Sequence, residues 1–295
     1  MKKILVTGAT GFIGMYVVEE LLRRGCQVIA SSAHPDKAAA APWFGKVPYI
    51  PFDLQNADPA IPADPGTDYH AYFGKPDSLI HLAWEGLPNY KAAFHLESNY
   101  PRHAAFLKNL VAHGLEDITV VGTCFEYGMQ EGCLSEDMPS WPANPYALAK
   151  DALRRYLQDL QKEMPFTLRW ARLFYMFGKG QNPNSLLSQL DRALDAGEKV
   201  FNMSGGEQVR DYLPIKKVAE YLVCIALQKK VTGIINCCSG QPVTVKALVE
   251  EHLRFRNSSI SLNLGYYPYP DYEPMRFWGD DTKLRSVDGV SPGRE

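Results

Sequence analysis

The run Thr7-Gly8-Ala9-Thr10-Gly11-Phe12-Ile13-Gly14 sets three glycines three residues apart, near the start of the chain. Lys3-Ile4-Leu5-Val6 before it is a short apolar run suited to a strand buried on both faces. Met15 to Arg24 after it reads as a helix, with Val17, Val18, Leu21 and Leu22 spaced to form one apolar face. A strand, a glycine-rich turn and a helix in that order make a phosphate-binding unit. The first N–H groups of the helix and the positive end of its dipole point at the anion. One glycine permits the tight turn, one lets a phosphate approach the backbone, and one lets the helix pack on the strand. A dinucleotide is therefore the expected ligand, cradled by Gly8, Thr10, Gly11, Phe12, Ile13 and Gly14.

The bulk properties narrow the field. At 295 residues the chain buries a substantial core. A formal net charge of −2 gives no electrostatic footprint for nucleic acid. No apolar run approaches the length that crosses a bilayer, and the N-terminus enters a strand directly, which points to a cytoplasmic protein. The six cysteines (Cys26, Cys124, Cys133, Cys224, Cys237, Cys238) lack metal-ligand spacing and read as reduced structural thiols. No metal is expected.

Further along, Gln27 to Ala30 predicts a second strand, and its end bears on the cofactor. An acidic residue there would accept from ribose hydroxyls and repel a 2′-phosphate. The sequence instead reads Ser31-Ser32-Ala33-His34, with Lys37 nearby, which suits NADP better than NAD. Val47 to Phe52, Asp77 to Leu82, Ile118 to Val121 and Phe166 to Leu173 predict further strands. Ala57 to Pro76, rich in Pro, Asp and Gly, reads as a surface connection. His81, at a strand end, is read as a packing residue rather than a general base. Trp84 to Tyr90 follows that strand's carboxyl end and is a candidate substrate wall, Trp84 foremost. Lys91 to His113 is helical in pattern, with a kink expected at Pro101. Ile215 to Gln228 predicts another helix and Gly233 to Cys237 another strand.

Tyr146-Ala147-Leu148-Ala149-Lys150 opens a helix in which Tyr146 and Lys150 share a face. Leu153, Leu157 and Leu160 continue that stripe toward the sheet. A phenol titrates near 10, so a neighbouring ammonium and a nicotinamide cation are expected to lower it.

The glycine turn, Thr123 four residues before Tyr127-Gly128, and the Tyr146/Lys150 pair together resemble the extended short-chain dehydrogenase/reductase family, whose members mostly act on nucleotide sugars. The resemblance covers nearly the whole chain. It implies a doubly wound parallel (Rossmann) α/β sheet over residues 1–175, to which 212–238 return. A smaller C-terminal α/β substrate-binding lobe would comprise 176–211 and 239–286, with 287–295 a frayed tail. It implies Thr123, Tyr146 and Lys150 as catalytic residues, the last two also touching cofactor. Asp53, Leu54, Leu82, Ala83, Asn99 and Phe174 would lie beside the cofactor with Ser31 and Ser32. Cys124, Phe125, Asn184, Ser185, Leu186 and Arg210 would meet the substrate, with Arg210 on a diphosphate, where a guanidinium grips oxygens in pairs. Arg276 would stand in for a second phosphate contact, with spacing that departs from the family's. A homodimer through the 91–113 and 146–163 helices is also implied.

Within that family, removal of water between C5 and C6 uses an Asp-Glu pair directly after the catalytic Thr. Cys124 and Phe125 stand there, so proton abstraction at C5 has no agent. Glu126 lies one place further, and strand alternation would turn it away from Phe125. The expected activity is NADPH-dependent reduction of a nucleoside-diphosphate-4-keto-6-deoxyhexose. An NAD-dependent 4-epimerase is the alternative, and a catalytically silent dinucleotide sensor is a third reading that the intact Tyr146 and Lys150 disfavour.

Overall fold

A computed structural model describes residues 2–55 and 67–291. The short apolar runs pair into one seven-stranded sheet. Its spatial order is Gly233–Cys237, Thr167–Leu173, Asp117–Thr123, Ser78–His81, Lys3–Thr7, Gln27–Ser32 and Tyr49–Pro51, with every pairing parallel. Parallel pairing needs crossovers, and helices cover both faces. Phe12–Arg23 and Ile215–Leu227 bury Val17, Val18, Leu21, Val218 and Leu222 against one face. Tyr100–Ala112 and Pro145–Glu163 bury Phe106, Leu110, Leu153 and Leu157 against the other. Strand order reverses between Lys3–Thr7 and Ser78–His81, which opens a crevice at their carboxyl ends. The sheet is doubly wound, as the resemblance implies.

The later segments build smaller units over those ends. Val209–Pro214 pairs antiparallel with Pro242–Thr244 and parallel with Tyr175–Phe177. Helices Leu186–Asp195 and Val245–Phe255 share a separate core with Phe201 and Met203. Phe277–Gly279 returns to pair with Gly132–Leu134.

Several expectations are corrected. Pro101 does not kink a long helix; it sits in the first turn of Tyr100–Ala112, where no N–H is needed, after a π-helical turn at His95–Asn99. Asp68 caps a short helix, Tyr69–Tyr72, inside the expected surface connection, whose residues 56–66 lie outside the described residues. The tail is docked as far as it is described. Val287 is buried, and Tyr221 Oη donates to Ser291 O at 2.9 Å.

Candidate active site

The glycine turn creates a cleft. Gly8 adopts φ +71°, and a Cβ there would lie 2.7 Å from Ala83 N. At Gly14 a Cβ would lie 2.1 Å from Gly8 O, so only glycine lets the helix sit against the turn. The helix starts at Gly11 without a side-chain cap, leaving its first N–H groups without a side-chain partner. A cleft of about 340 Å³ joins Gly8, Thr10 and Gly11 to Leu54, Leu82, Ala83 and Trp84, and to Ser31, Ser32, His34 and Lys37. An uncapped helix start and a backbone cradle closed to any Cβ fit a dinucleotide pyrophosphate. Phe12 and Ile13, in the first helical turn, pack against the core.

Two cofactor expectations shift in detail. Ser31 and Ser32 are strand residues rather than loop hydroxyls, because Thr7 and Ile50 both pair with Ser31. Ser32 Oγ lies 3.1 Å from Tyr49 Oη, so His34 and Lys37 are the more open polar groups at this part of the cleft. Asn99 is fully buried; its Nδ2 donates to Glu85 O at 3.0 Å and its Oδ1 accepts from Gln55 Nε2 at 2.9 Å. It braces the loop instead of lining the cleft. Asp53 Oδ1 accepts from Gln55 N at 2.8 Å, beside Leu54. Phe174 is buried against Tyr127 and Phe277.

Asp117–Thr123 carries the reactive residues to the same edge. The strand ends at Thr123, and Cys124–Tyr127 forms a 3-10 turn rather than continuing the alternation. Asn144 caps the next long helix through Ala147 N at 2.9 Å, which fixes Tyr146 in its first turn. The Thr123 hydroxyl lies beside the Tyr146 phenol. Rings of His95, Tyr90 and Trp84 surround that phenol at 5.3, 5.6 and 6.1 Å between centroids. Lys150 Nζ donates to Val121 O at 3.0 Å and lies 4.0 Å from the Trp84 ring centre.

The electrostatics correct the expected acidification of the phenol. Burial, with Tyr90 and Glu126 nearby, pushes Tyr146 well above the ordinary phenol value, the Thr123 hydroxyl pulling the other way. Burial also pushes Lys150 down to about 7, opposed by the Glu126 charge. The pair is buried behind Trp84, which lines the cleft, as a protonated phenol and an amine whose charge is disfavoured. Desolvation outweighs the mutual effect of the two groups.

Behind them lies a residue that sequence reasoning left without a role. Glu126 is fully buried, accepting from Thr123 N at 2.9 Å, Trp170 Nε1 at 2.9 Å and Arg172 Nε at 2.8 Å. It closes a capping box with Thr123 and so fixes that hydroxyl. His81 has the structural role expected of it: Nδ1 lies 2.7 Å from Thr7 Oγ1 and Nε2 2.7 Å from His103 Nδ1. Burial depresses it to about 3.

On the substrate side, Cys124 and Phe125 are buried among Tyr90, Tyr175 and Tyr272. Arg210 departs from expectation. Its side chain is buried, Nη2 lies 3.1 Å from Glu273 Oε1, and Nη1 donates to Val209 O and Met275 O at 2.9 and 3.0 Å. Glu273, which also accepts from Tyr175, neutralises the guanidinium internally. Arg276 is exposed, its backbone oxygen taken by Gly132 N. Asn184 is exposed, and Ser185 Oγ donates to Ser188 Oγ at 2.9 Å as Leu186 opens its helix.

The profile of the NAD dependent epimerase/dehydratase family matches residues 4–238. The chain belongs to that family. Like its relatives it is an enzyme. A dTDP-6-deoxy-L-talose 4-dehydrogenase (NAD(+)) of Aggregatibacter actinomycetemcomitans is 31% identical over 94% of this chain and 98% of the relative. A UDP-glucose 4-epimerase of Mycolicibacterium smegmatis is 27% identical over 98% and 93%. The crystal structure of the Bacillus cereus UDP-glucuronic acid 4-epimerase with UDP-glucuronic acid and NAD superposes with a TM-score of 0.83 at 22% identity, over 99% and 95% of the chains. The last likeness shows the fold. Among the described residues no helix is long and apolar enough to cross a membrane, and no His, Cys, Asp and Glu cluster suited to a metal occurs.

Proposed function

We propose that this enzyme is an NADPH-dependent reductase of a nucleoside-diphosphate-4-keto-6-deoxyhexose, acting at C4 of the sugar. The observation that carries the reading is the Thr123 hydroxyl beside the Tyr146 phenol with Lys150 one turn along, next to a dinucleotide cleft and without a carboxylate at 124 or 125. Bound NADPH supplies the hydride. The chain's own groups handle the oxygen. Tyr146, held protonated by burial, gives its proton to O4, and Thr123 donates a second hydrogen bond to that atom. Tyr90, Phe125 and Tyr272 pack ring against ring on the substrate side and would limit the access of water. Gly8, Gly11 and the start of Phe12–Arg23 would hold the pyrophosphate.

The Aggregatibacter relative is named for oxidoreduction at C4 of a dTDP-6-deoxyhexose, which supports both the 6-deoxy sugar and a thymidine nucleotide. His34 and Lys37, with no acid at the end of Gln27–Ser32, favour NADP. NAD is the second reading, favoured by the cofactor in that relative's name. A 4-epimerase, the activity in the Mycolicibacterium relative's name, would use the same three residues.

The test follows absorbance at 340 nm when purified protein meets dTDP-4-keto-6-deoxyglucose, or its L-lyxo epimer, with NADPH or NADH. Stoichiometric cofactor oxidation is the expected result, with Tyr146→Phe lowering kcat by about 10²–10⁴-fold. Interconversion of two 4-epimers without net cofactor consumption would establish the epimerase instead.

A further inference from the structure

We propose that Trp84 is a positioning residue that seats the Lys150 ammonium on its indole face, and that the hydrogen-bonded His81–His103 pair holds the indole in place. The inference deepens the reductase reading, because it concerns the lysine that reading places beside the cofactor.

The geometry is specific. Lys150 is 1% exposed, and its ammonium carries three donors. One reaches Val121 O at 3.0 Å. Its nitrogen lies 4.0 Å from the Trp84 ring centre, well inside cation–π range, and Trp offers the strongest such face. His103 also stacks on Trp84, at 4.6 Å and 28°. Trp84 Nε1 donates to His95 Nδ1 at 3.1 Å, which stops the indole from rotating. His103 is in turn tied through His81 to Thr7, the residue before the glycine turn. The seat of the lysine is thus linked to the strand that carries the cofactor turn.

Charge decides whether this arrangement holds. Two imidazolium rings beside an ammonium would repel it. Both histidines are fully buried and pushed well below the usual imidazole value, so the floor under the cation is aromatic and uncharged. The titratable groups that face Lys150 are Glu126, Tyr146, His81, His95 and His103. Glu126 favours its charged form, and the histidines oppose it only if protonated. With desolvation already bringing the amine near neutrality, the indole face helps determine how much of it is ammonium at working pH.

The experiment follows the Lys150 titration by NMR in protein carrying 13C-labelled lysine, without cofactor, its resonance assigned by its loss in Lys150→Arg. In Trp84→Leu the midpoint is expected to fall by about half to one pH unit, since loss of a cation–π contact disfavours the charged form. Trp84→Phe, which keeps a weaker ring face, is expected to shift the same way by less and serves alone if the leucine variant does not fold. The alkaline limb of kcat/KM should move down with the midpoint, whereas a merely structural role would lower activity evenly at all pH. A midpoint that stays or rises in the folded variants overturns the proposal. If the midpoint falls but the wild type reduces no keto sugar, the seat stands and the reductase reading fails.

Discussion

At the scale of single residues the site is governed by desolvation, and Lys150 shows the sign most clearly. Its ordinary value is 10.5 and burial brings it to about 7. Between those values the unfolded chain holds a proton that the folded chain lacks, so stability rises with pH across that window. Below about 7 the folded protein carries a buried ammonium. Lys150→Met is therefore expected to be more stable than the wild type at pH 6, by on the order of 2 kcal/mol, and to lose that advantage as pH approaches 10. Urea unfolding of both proteins at the two pH values checks it; a variant less stable at pH 6 would mean that the Val121 and Trp84 contacts outweigh desolvation. The positions of Thr123, Tyr146 and Lys150 were legible in the sequence because helical spacing and order along the chain specify them. The protonation of Tyr146 and Lys150 was not, because it depends on burial and on Tyr90 and Glu126, which only the folded chain brings to the site. Glu126 was illegible for the same reason. A buried carboxylate is recognised only by its partners, here Trp170 and Arg172, which lie 44 and 46 residues away.

At the scale of elements, short apolar runs and a glycine turn sufficed to place the large sheet, since strands buried on both faces read as unbroken hydrophobic stretches. Ends were less legible. Ser31 and Ser32 look like loop residues, yet pairing with Thr7 and with Ile50 and Pro51 carries the strand through both. The π-turn at His95–Asn99 and the 3-10 turn at Cys124–Tyr127 have no period that sequence alone reveals. The glycine turn makes a demand of its own. At Gly14 an added methyl would meet Gly8 O and Ala9 Cα, both backbone atoms that cannot swing aside. Gly14→Ala is expected to cost about 1–3 kcal/mol and to weaken dinucleotide binding with it, because the helix must lift from the turn. Gly25→Ala is the control: it also meets strain, at φ +73°, but nothing lies within 4 Å. It should lose about 1–2 kcal/mol and keep its dinucleotide affinity. Thermal unfolding and calorimetric titration with NADPH and NADH compare the two. Equal loss of affinity in both would show that the turn's shape is not what binds.

At the scale of the whole molecule, polar contacts join the large sheet to the later units, and Asp211 is at the centre of one group. It lies on Val209–Pro214, and its Oδ1 accepts from Ser239 N and Ser239 Oγ, both at 2.7 Å. Its Oδ2 accepts from Gly240 N at 2.9 Å and Gly279 N at 3.3 Å. One carboxylate thus fastens a strand of the smaller sheet to the turn after Gly233–Cys237 and to the end of Phe277–Gly279. The segment leading into that last strand carries Tyr272 toward Phe125 and Glu273 toward Arg210. Asparagine has the same shape, but its amide nitrogen would face two backbone donors and accept from neither. Asp211→Asn is expected to destabilise the protein by about 1–3 kcal/mol, as buried donors lose their partner. The segment bearing Tyr272 and Glu273 should loosen while the cleft at Gly8 and Gly11, which none of the four donors to Asp211 lines, keeps its shape. KM for the sugar nucleotide should therefore rise several-fold with the Kd for NADPH unchanged. If both rise together, the carboxylate supports the whole fold and does not selectively fasten the segment over the sugar.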